Sequence, residues 1–148
     1  MKIKIEYINK LYKCKNIIHQ GQISFGNYDQ ATYLGSCISL ILFSSELKMG
    51  GLSHIVEHIT NIGKYNFANE VIDKYLEIKK NYKLFDSKYY IVGGSSTCEH
   101  VFKNTKIELE KNNIKYKIID VLGNYHRSIC LIPKENTIKI FKKGFGKI

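Results

Sequence analysis

Cys37 and His54 have the residue types and the spacing of a thiol nucleophile and its base. Cys37 follows Gly35 and Ser36, and His54 lies 17 positions further on. A cysteine attacks carbonyl carbon as the thiolate, and a free thiol titrates at about 8.5, so an imidazole or backbone amides must stabilise the anion at neutral pH. Gly35 permits a sharp turn there, and the amides of such a turn can bind an oxyanion. The pair therefore predicts thiol chemistry on a carbonyl group.

Two other interpretations of these residues stay open at the level of sequence. Cys37 precedes the apolar segment 38–43, and a lone cysteine in that position is commonly a small buried hydrophobic side chain. His54, Glu57 and His58 match H-x-x-E-H, in which two histidines on one helical face bind zinc and the glutamate is the base. Flanking glycines and β-branched residues disfavour a helix there. A zinc hydrolase is therefore the weaker chemical interpretation.

Hydrophobic periodicity predicts the elements that would position these residues. Residues 64–82 carry apolar side chains at helical spacing, and a second helix is predicted at 103–112. Pro133 and the polar residues after it predict a hairpin connection. Predicted strands are residues 3–7 (half-buried, by alternation), 37–43 (covered on both faces), 89–92, 115–122, 128–132 and 137–141. Strands at both ends with helices between them indicate an α+β fold.

Length and composition predict one domain over residues 1–148. A chain of this length buries enough surface for a core without added metals or disulfides. No apolar run approaches the roughly 20 residues of a membrane helix, and the first residues lack the hydrophobic region of a signal peptide. The four cysteines, at positions 14, 37, 98 and 130, form no Cys-x-x-Cys pair. This arrangement suits a reducing compartment rather than a disulfide framework, so we expect a cytoplasmic protein.

The formal charge of +10 is spread along the chain rather than concentrated. Of the 23 basic residues only Arg127 is arginine, and no nucleic-acid-binding motif is present. We therefore do not expect a nucleic-acid partner. A basic surface still attracts acidic proteins, through steering that weakens with salt.

Five blocks of the chain occur in the order seen in CheD, the chemoreceptor glutamine deamidase family. They are Thr32–Ile38, Met49–His54, Gly63–Tyr65, Val92–Ser95 and Gly123–Ser128. The resemblance implies hydrolysis of a glutamine side chain to glutamate through a cysteine thioester. It also implies the fold of the cytotoxic necrotizing factor toxins, with mixed β-sheets in a sandwich-like core and two helices packed on one face, in three layers.

The resemblance also implies roles for individual residues. Cys37 matches the nucleophile and His54 the base, while Thr32 matches a threonine that orients the histidine. Some members place this threonine one position earlier, where this chain has Ala31. Gly35 and Ser36 would form the oxyanion turn.

The resemblance further implies a cleft and a set of partners. The turn at Gly93 and Gly94 would lie near the cleft, where Arg127 would bind a carboxylate or a carbonyl or serve a structural role. No cofactor or metal is expected. Partners would be the cytoplasmic helices of methyl-accepting chemotaxis receptors and a CheC-type phosphatase. A chain that kept the fold without the enzymology would act as a non-catalytic adaptor for these partners.

Overall fold

Ten strands and two helices make up the part of the chain that the structure describes. The computed structural model describes residues 1–8 and 14–145. The strands are β1 (Lys2–Tyr7), β2 (Ile17–Ile18), β3 (Ile23–Gly26), β4 (Gln30–Leu34), β5 (Ile38–Ser44), β6 (Met49–Ser53), β7 (Lys88–Gly93), β8 (Tyr116–Val121), β9 (Tyr125–Ile132) and β10 (Thr137–Gly144). The helices are α1 (Ala68–Tyr82) and α2 (Glu99–Lys111). No described helix has the length and apolarity to cross a bilayer.

The strands form two mixed sheets of five strands each. The first sheet has the order β1-β10-β9-β4-β2, with β1–β10 and β2–β4 parallel. The second sheet has the order β3-β6-β5-β7-β8, with β7–β8 parallel. Because β4 and β5 are consecutive but belong to different sheets, the chain between them must cross from one layer to the other.

Two hydrophobic cores confirm the three-layer α+β sandwich. Strand β5 is buried along its whole length, as the continuous apolar run predicts. Ile38 and Leu40 pack with the helices, whereas Ile41 and Phe43 pack between the two sheets. This alternation follows from the two-residue period of a strand. The layers are therefore the helices, the second sheet and the first sheet.

Most predicted elements are confirmed, with shifted bounds. Helix α1 begins at Ala68 rather than at residue 64, and its first backbone N–H donates to the Glu57 carboxylate. Helix α2 begins at Glu99 rather than at 103. The hairpin at Pro133 is confirmed by a one-turn 3-10 helix between antiparallel β9 and β10. The sequence reasoning missed β2, β3, β4 and β6.

Two expectations were wrong. Strand β1 is exposed at all six residues rather than half-buried, because it lies at the edge of the first sheet. The cysteines also do not all remain free, since Cys14 and Cys130 form a disulfide across 116 residues of sequence. The reason is topological: Cys14 precedes β2, β2 pairs with β4, and Ala31 of β4 pairs with Cys130.

Candidate active site

Cys37 lies in the crossover that carries the chain from β4 to β5. Its carbonyl oxygen accepts a hydrogen bond of 2.7 Å from the Gly94 N–H. Gly93 and Gly94 have φ of 103° and 82°, in the left-handed region that favours glycine. A Cβ at Gly93 would lie 2.7 Å from the Cys37 carbonyl oxygen. The two-glycine turn is therefore packed directly on the backbone of Cys37.

The crossover also presents backbone donors. Within residues 1–8 and 14–145, no acceptor is found for the N–H groups of Ser36 and Cys37. Both residues are only half-buried. Unpaired backbone N–H groups are rare in protein interiors because they lose hydrogen bonds to water. Two adjacent donors beside a thiol have the chemistry of an oxyanion site.

His54 follows β6, and its neighbour Ile55 places it on the same face as Cys37. Ile38 and Ile55 form an antiparallel bridge with backbone hydrogen bonds of 3.1 and 2.7 Å. Both isoleucines belong to the core beneath the helices. Because side chains alternate along extended chains, Cys37 and His54 point to the other face, toward the first sheet. They are diagonal neighbours across the bridge.

Thr32 reaches His54 from the opposite layer. Its Oγ1 lies 2.7 Å from His54 Nδ1 and 3.0 Å from the carbonyl oxygen of Ile18, to which it donates. A hydroxyl has one proton, so Thr32 accepts from Nδ1–H when it donates to Ile18. The arrangement fixes the histidine tautomer and leaves the Nε2 lone pair free to accept a proton.

Burial keeps both reacting groups neutral in the free protein. Burial raises the pKa of the Cys37 thiol to about 11, opposed by the Ser36 hydroxyl and reinforced by Cys98. Burial also lowers the pKa of His54 to about 4, with a further contribution from His19. No hydrogen bond joins Cys37 Sγ to the imidazole within the described part of the chain. Such bonds are often long in a free enzyme and tighten with substrate.

The H-x-x-E-H segment is not a helix. His54 is followed by the bridge at Ile55, and Glu57 has φ of 60°. The Glu57 carboxylate accepts 2.8 Å from the Ala68 N–H, while His58 is exposed. The two histidines therefore do not share a helical face, and the glutamate stabilises the start of α1. This geometry contradicts the zinc-helix interpretation. Cys98 and His100, the other cysteine and histidine that are close in sequence, do not share a strand, since Cys98 precedes α2 and His100 lies within it.

Arg127 binds one carboxylate and two backbone carbonyl groups of the protein itself. The side chain is fully buried and its Nε donates 2.8 Å to Asp120. Its other nitrogens donate to the carbonyl oxygens of Gly94, at 2.8 Å, and Leu122, at 2.6 Å. Asp120 also pairs with Lys142 at 3.0 Å. Arg127 thus holds the two-glycine turn, which in turn packs on Cys37.

Two residues that hold His54 escaped the sequence reasoning. The Gly21 N–H donates 2.9 Å to the His54 carbonyl oxygen. Ser53 is fully buried, and its Oγ accepts from the N–H of Leu40 and donates to the carbonyl oxygen of the same residue. Gly21 lies outside the five blocks of the resemblance, and Ser53 lies in the Met49–His54 block without a role of its own there. Their roles depend on contacts between distant segments, which the sequence pattern does not display.

Comparisons with known proteins agree with the resemblance. No protein-family model matches the chain. The probable chemoreceptor glutamine deamidase CheD of Methanococcus maripaludis is 27% identical over 143 residues, covering 84% of this chain and 93% of that protein. The probable chemoreceptor glutamine deamidase CheD of Clostridium acetobutylicum is 29% identical over 136 residues, covering 76% of this chain and 80% of that protein.

Proposed function

We propose that this protein is a glutamine deamidase that converts glutamine side chains of methyl-accepting chemotaxis receptors to glutamate. The names of its curated relatives support the substrate class. The observation that carries the chemistry is the 2.7 Å contact of Thr32 with His54 Nδ1, because Thr32 also donates to Ile18. It supports a histidine held as a base on the face that Cys37 shares. The protein would bind the receptor helices in the cytoplasm.

In the proposed first half-reaction, Cys37 attacks the carboxamide carbon of a glutamine. His54 Nε2 takes the thiol proton as the S–C bond forms. The carbonyl oxygen becomes an oxyanion and is bound by the N–H groups of Ser36 and Cys37. His54 then returns the proton to the amide nitrogen, the C–N bond breaks and ammonia leaves. The product is a thioester between Cys37 and the substrate.

In the second half-reaction, water replaces ammonia. His54 takes a proton from water as its oxygen attacks the thioester carbon, and the same N–H groups bind the new oxyanion. The S–C bond breaks, Cys37 recovers its proton and glutamate is released. Water is consumed and ammonia is released, so the peptide chain stays intact.

The pKa values of Cys37 and His54 support transfer of the thiol proton only after substrate has bound. A thiol with a pKa of about 11 beside an imidazole with a pKa of about 4 does not form a resting ion pair at neutral pH. The thiolate is formed only as the transition state develops, when the oxyanion donors come into use. This feature predicts a slow reaction of the free thiol with general alkylating agents.

A second candidate function is a non-catalytic adaptor that binds receptors and a CheC-type phosphatase. The neutral thiol and the lack of a Cys37–His54 hydrogen bond in the described residues favour it. Incubation with a chemoreceptor cytoplasmic fragment, followed by peptide mass spectrometry, separates the two functions. Deamidation adds about one dalton to a glutamine residue. We expect this shift with the wild-type protein and none with Cys37→Ala. Binding without a shift at any glutamine, by protein with reduced Cys37, would leave the adaptor.

A further inference from the structure

Residues 57–66 form a closed loop whose two ends meet. The N–H groups of Val56 and Glu57 both donate to the carbonyl oxygen of Asn66, at 3.0 and 2.9 Å. The Asn66 side chain lies inside the loop, where it donates to Gly63 and accepts from Thr60. Asn66 is 5% exposed. The segment is therefore an Ω-loop fastened by one buried amide.

This loop is attached to the candidate active site. The Tyr65 N–H donates 2.7 Å to the carbonyl oxygen of Gly21, and the Gly21 N–H donates 2.9 Å to the carbonyl oxygen of His54. Gly63 packs so closely on Gly21 that any side chain there would collide with the Gly21 backbone. Two hydrogen bonds thus connect the base of the loop to His54. A ligand seated on the loop would therefore contact a segment that is hydrogen-bonded, through Gly21, to the backbone of His54.

The loop holds large apolar side chains in solvent. Ile59 is 83% exposed and Ile62 is 52% exposed. Ile62 also lines a groove of about 590 Å³, together with Lys64 from the loop and with Ile18 and Ile23 from the adjoining strands. Two exposed isoleucines on a fastened loop, next to an apolar-lined groove, are typical of an interaction surface.

The charged side chains of the 57–66 loop indicate what kind of partner it binds. Glu57 is the sole carboxylate in the sequence of residues 57–66, and it is directed to the start of α1, where it accepts from the Ala68 N–H. His58 and Lys64 are both exposed. The loop therefore presents apolar and basic groups outward and keeps its acidic group in a helix cap. Its complement is an acidic surface with apolar side chains.

We propose that the 57–66 loop and its groove bind an acidic, apolar-bearing segment of the protein substrate beside the glutamine to be modified. This inference rests on the proposed function and assigns substrate selection to Ile59, Ile62 and Lys64. The loop contributes to binding of a folded substrate and not to the chemical step. Its loss should therefore raise KM for a protein substrate and leave a short peptide unaffected.

The test compares two substrates and one matched control. The double variant Ile59→Ser/Ile62→Ser is assayed on a chemoreceptor cytoplasmic fragment and on an unstructured peptide with a central glutamine. We expect kcat/KM to fall roughly ten- to a hundredfold on the fragment, through KM, because two apolar contacts are lost. The peptide should be deamidated at the wild-type rate. Phe85→Ser is the control, because Phe85 is 85% exposed but lies outside the loop, and it should change neither rate.

Binding gives a measurement that does not depend on catalysis. In a Cys37→Ala background, the double variant should bind the fragment roughly ten- to a hundredfold more weakly than Phe85→Ser does. Lys64→Glu should also weaken binding, and most strongly at low salt. If neither substrate is deamidated but this binding difference remains, the proposed function fails and the docking surface stands. Equal losses on fragment and peptide, equal binding by all variants, or a dimer that the double variant abolishes would overturn the docking proposal.

Discussion

The two cysteine regions of this protein lie on opposite faces of the first sheet and have different chemistry. On the inner face, Cys37 is a free, half-buried thiol on the same side as His54. On the outer face of the first sheet, Cys130 is bonded to Cys14 at the edge of a groove of about 440 Å³. Strand β4 separates them. Ala31 pairs with Cys130, and the next residue, Thr32, contacts His54.

The comparison teaches that the neighbours of a cysteine, and not its burial, decide its chemistry. Cys130 is 8% exposed and Cys37 is half-buried, so exposure alone does not identify a nucleophile. The inner cysteine has an oriented imidazole and free backbone donors nearby. The outer cysteine has a second cysteine, which consumes its thiol. A shift of one residue in β4 would turn Thr32 away from His54 and toward the face of Cys130, because side chains alternate between the faces of a strand.

Removal of the inner thiol should have the largest effect on turnover. We predict that Cys37→Ala lowers the deamidation rate by roughly a thousandfold or more, because the nucleophile acts as a unit with its base. Cys130→Ser should keep turnover within about twofold while lowering the free energy of unfolding by roughly 3–5 kcal/mol under oxidising conditions, since the disulfide closes a long loop. Activity and chemical unfolding measured on both variants check this. Comparable loss of turnover in Cys37→Ala and Cys130→Ser would contradict the view that only Cys37 acts in catalysis.

The base should be the next most sensitive position. We predict that His54→Ala loses roughly a hundred- to a thousandfold in kcat, because the imidazole that Thr32 orients carries the proton in both half-reactions. His58→Ala should be nearly as active as the wild-type protein, since His58 is exposed and its Nδ1 lies 3.3 Å from the carbonyl oxygen of Ile59. Chelators should have no effect, whereas prolonged treatment with iodoacetamide at high pH should inactivate. Activity lost in both histidine variants and restored by zinc would contradict the thiol mechanism.

Substitutions at Thr32 and Ala31 test which face of β4 contacts His54. We predict that Thr32→Val lowers kcat by roughly ten- to a hundredfold with little change in KM, because the imidazole loses its fixed tautomer. Thr32→Ser should recover most of the activity, since it restores the hydroxyl. Ala31→Ser is the matched control and should have little effect on turnover, because Ala31 pairs with Cys130. A larger loss of turnover in Ala31→Ser than in Thr32→Val would mean that the residue that orients His54 lies on the other face of β4.

The sequence predicted helices and strands better than it predicted which residues contact one another in the fold. The apolar run of β5 and the helical spacing of α1 are strong local signals, and both elements are confirmed. Strand β6 escaped because Gly50 and Gly51 weaken its pattern, and β4 because it does not alternate. The exposure of β1 and the Cys14–Cys130 disulfide depend on where strands end up in a sheet. No local pattern carries that information.

The candidate site shows the same division. The motif around Cys37 and the histidine after the glycines were visible in the sequence, and the resemblance supplied Thr32. The supporting contacts of Gly21, Ser53 and Arg127 were not visible as such, because each joins segments that are distant in the chain. The turn at the crossover was expected, but the lack of acceptors for the Ser36 and Cys37 N–H groups among the described residues is a property of the three-dimensional fold.

The smallest expected effect is a pH dependence of the free energy of unfolding that comes from His54 and not from the Cys14–Cys130 disulfide. The pKa of His54 falls from 6.5 to about 4 on folding because the ring is buried, so the unfolded chain binds a proton that the folded protein does not. Stability should therefore decrease as the pH falls from 6.5 toward 4, and the His54 contribution at pH 5.5 is a loss of roughly 1 kcal/mol relative to neutral pH. Urea unfolding at pH 7.5 and 5.5 measures it. His54→Gln should remove this part of the pH dependence, whereas Cys130→Ser should retain it. An unchanged pH dependence in His54→Gln would mean that the imidazole is not held neutral between the sheets.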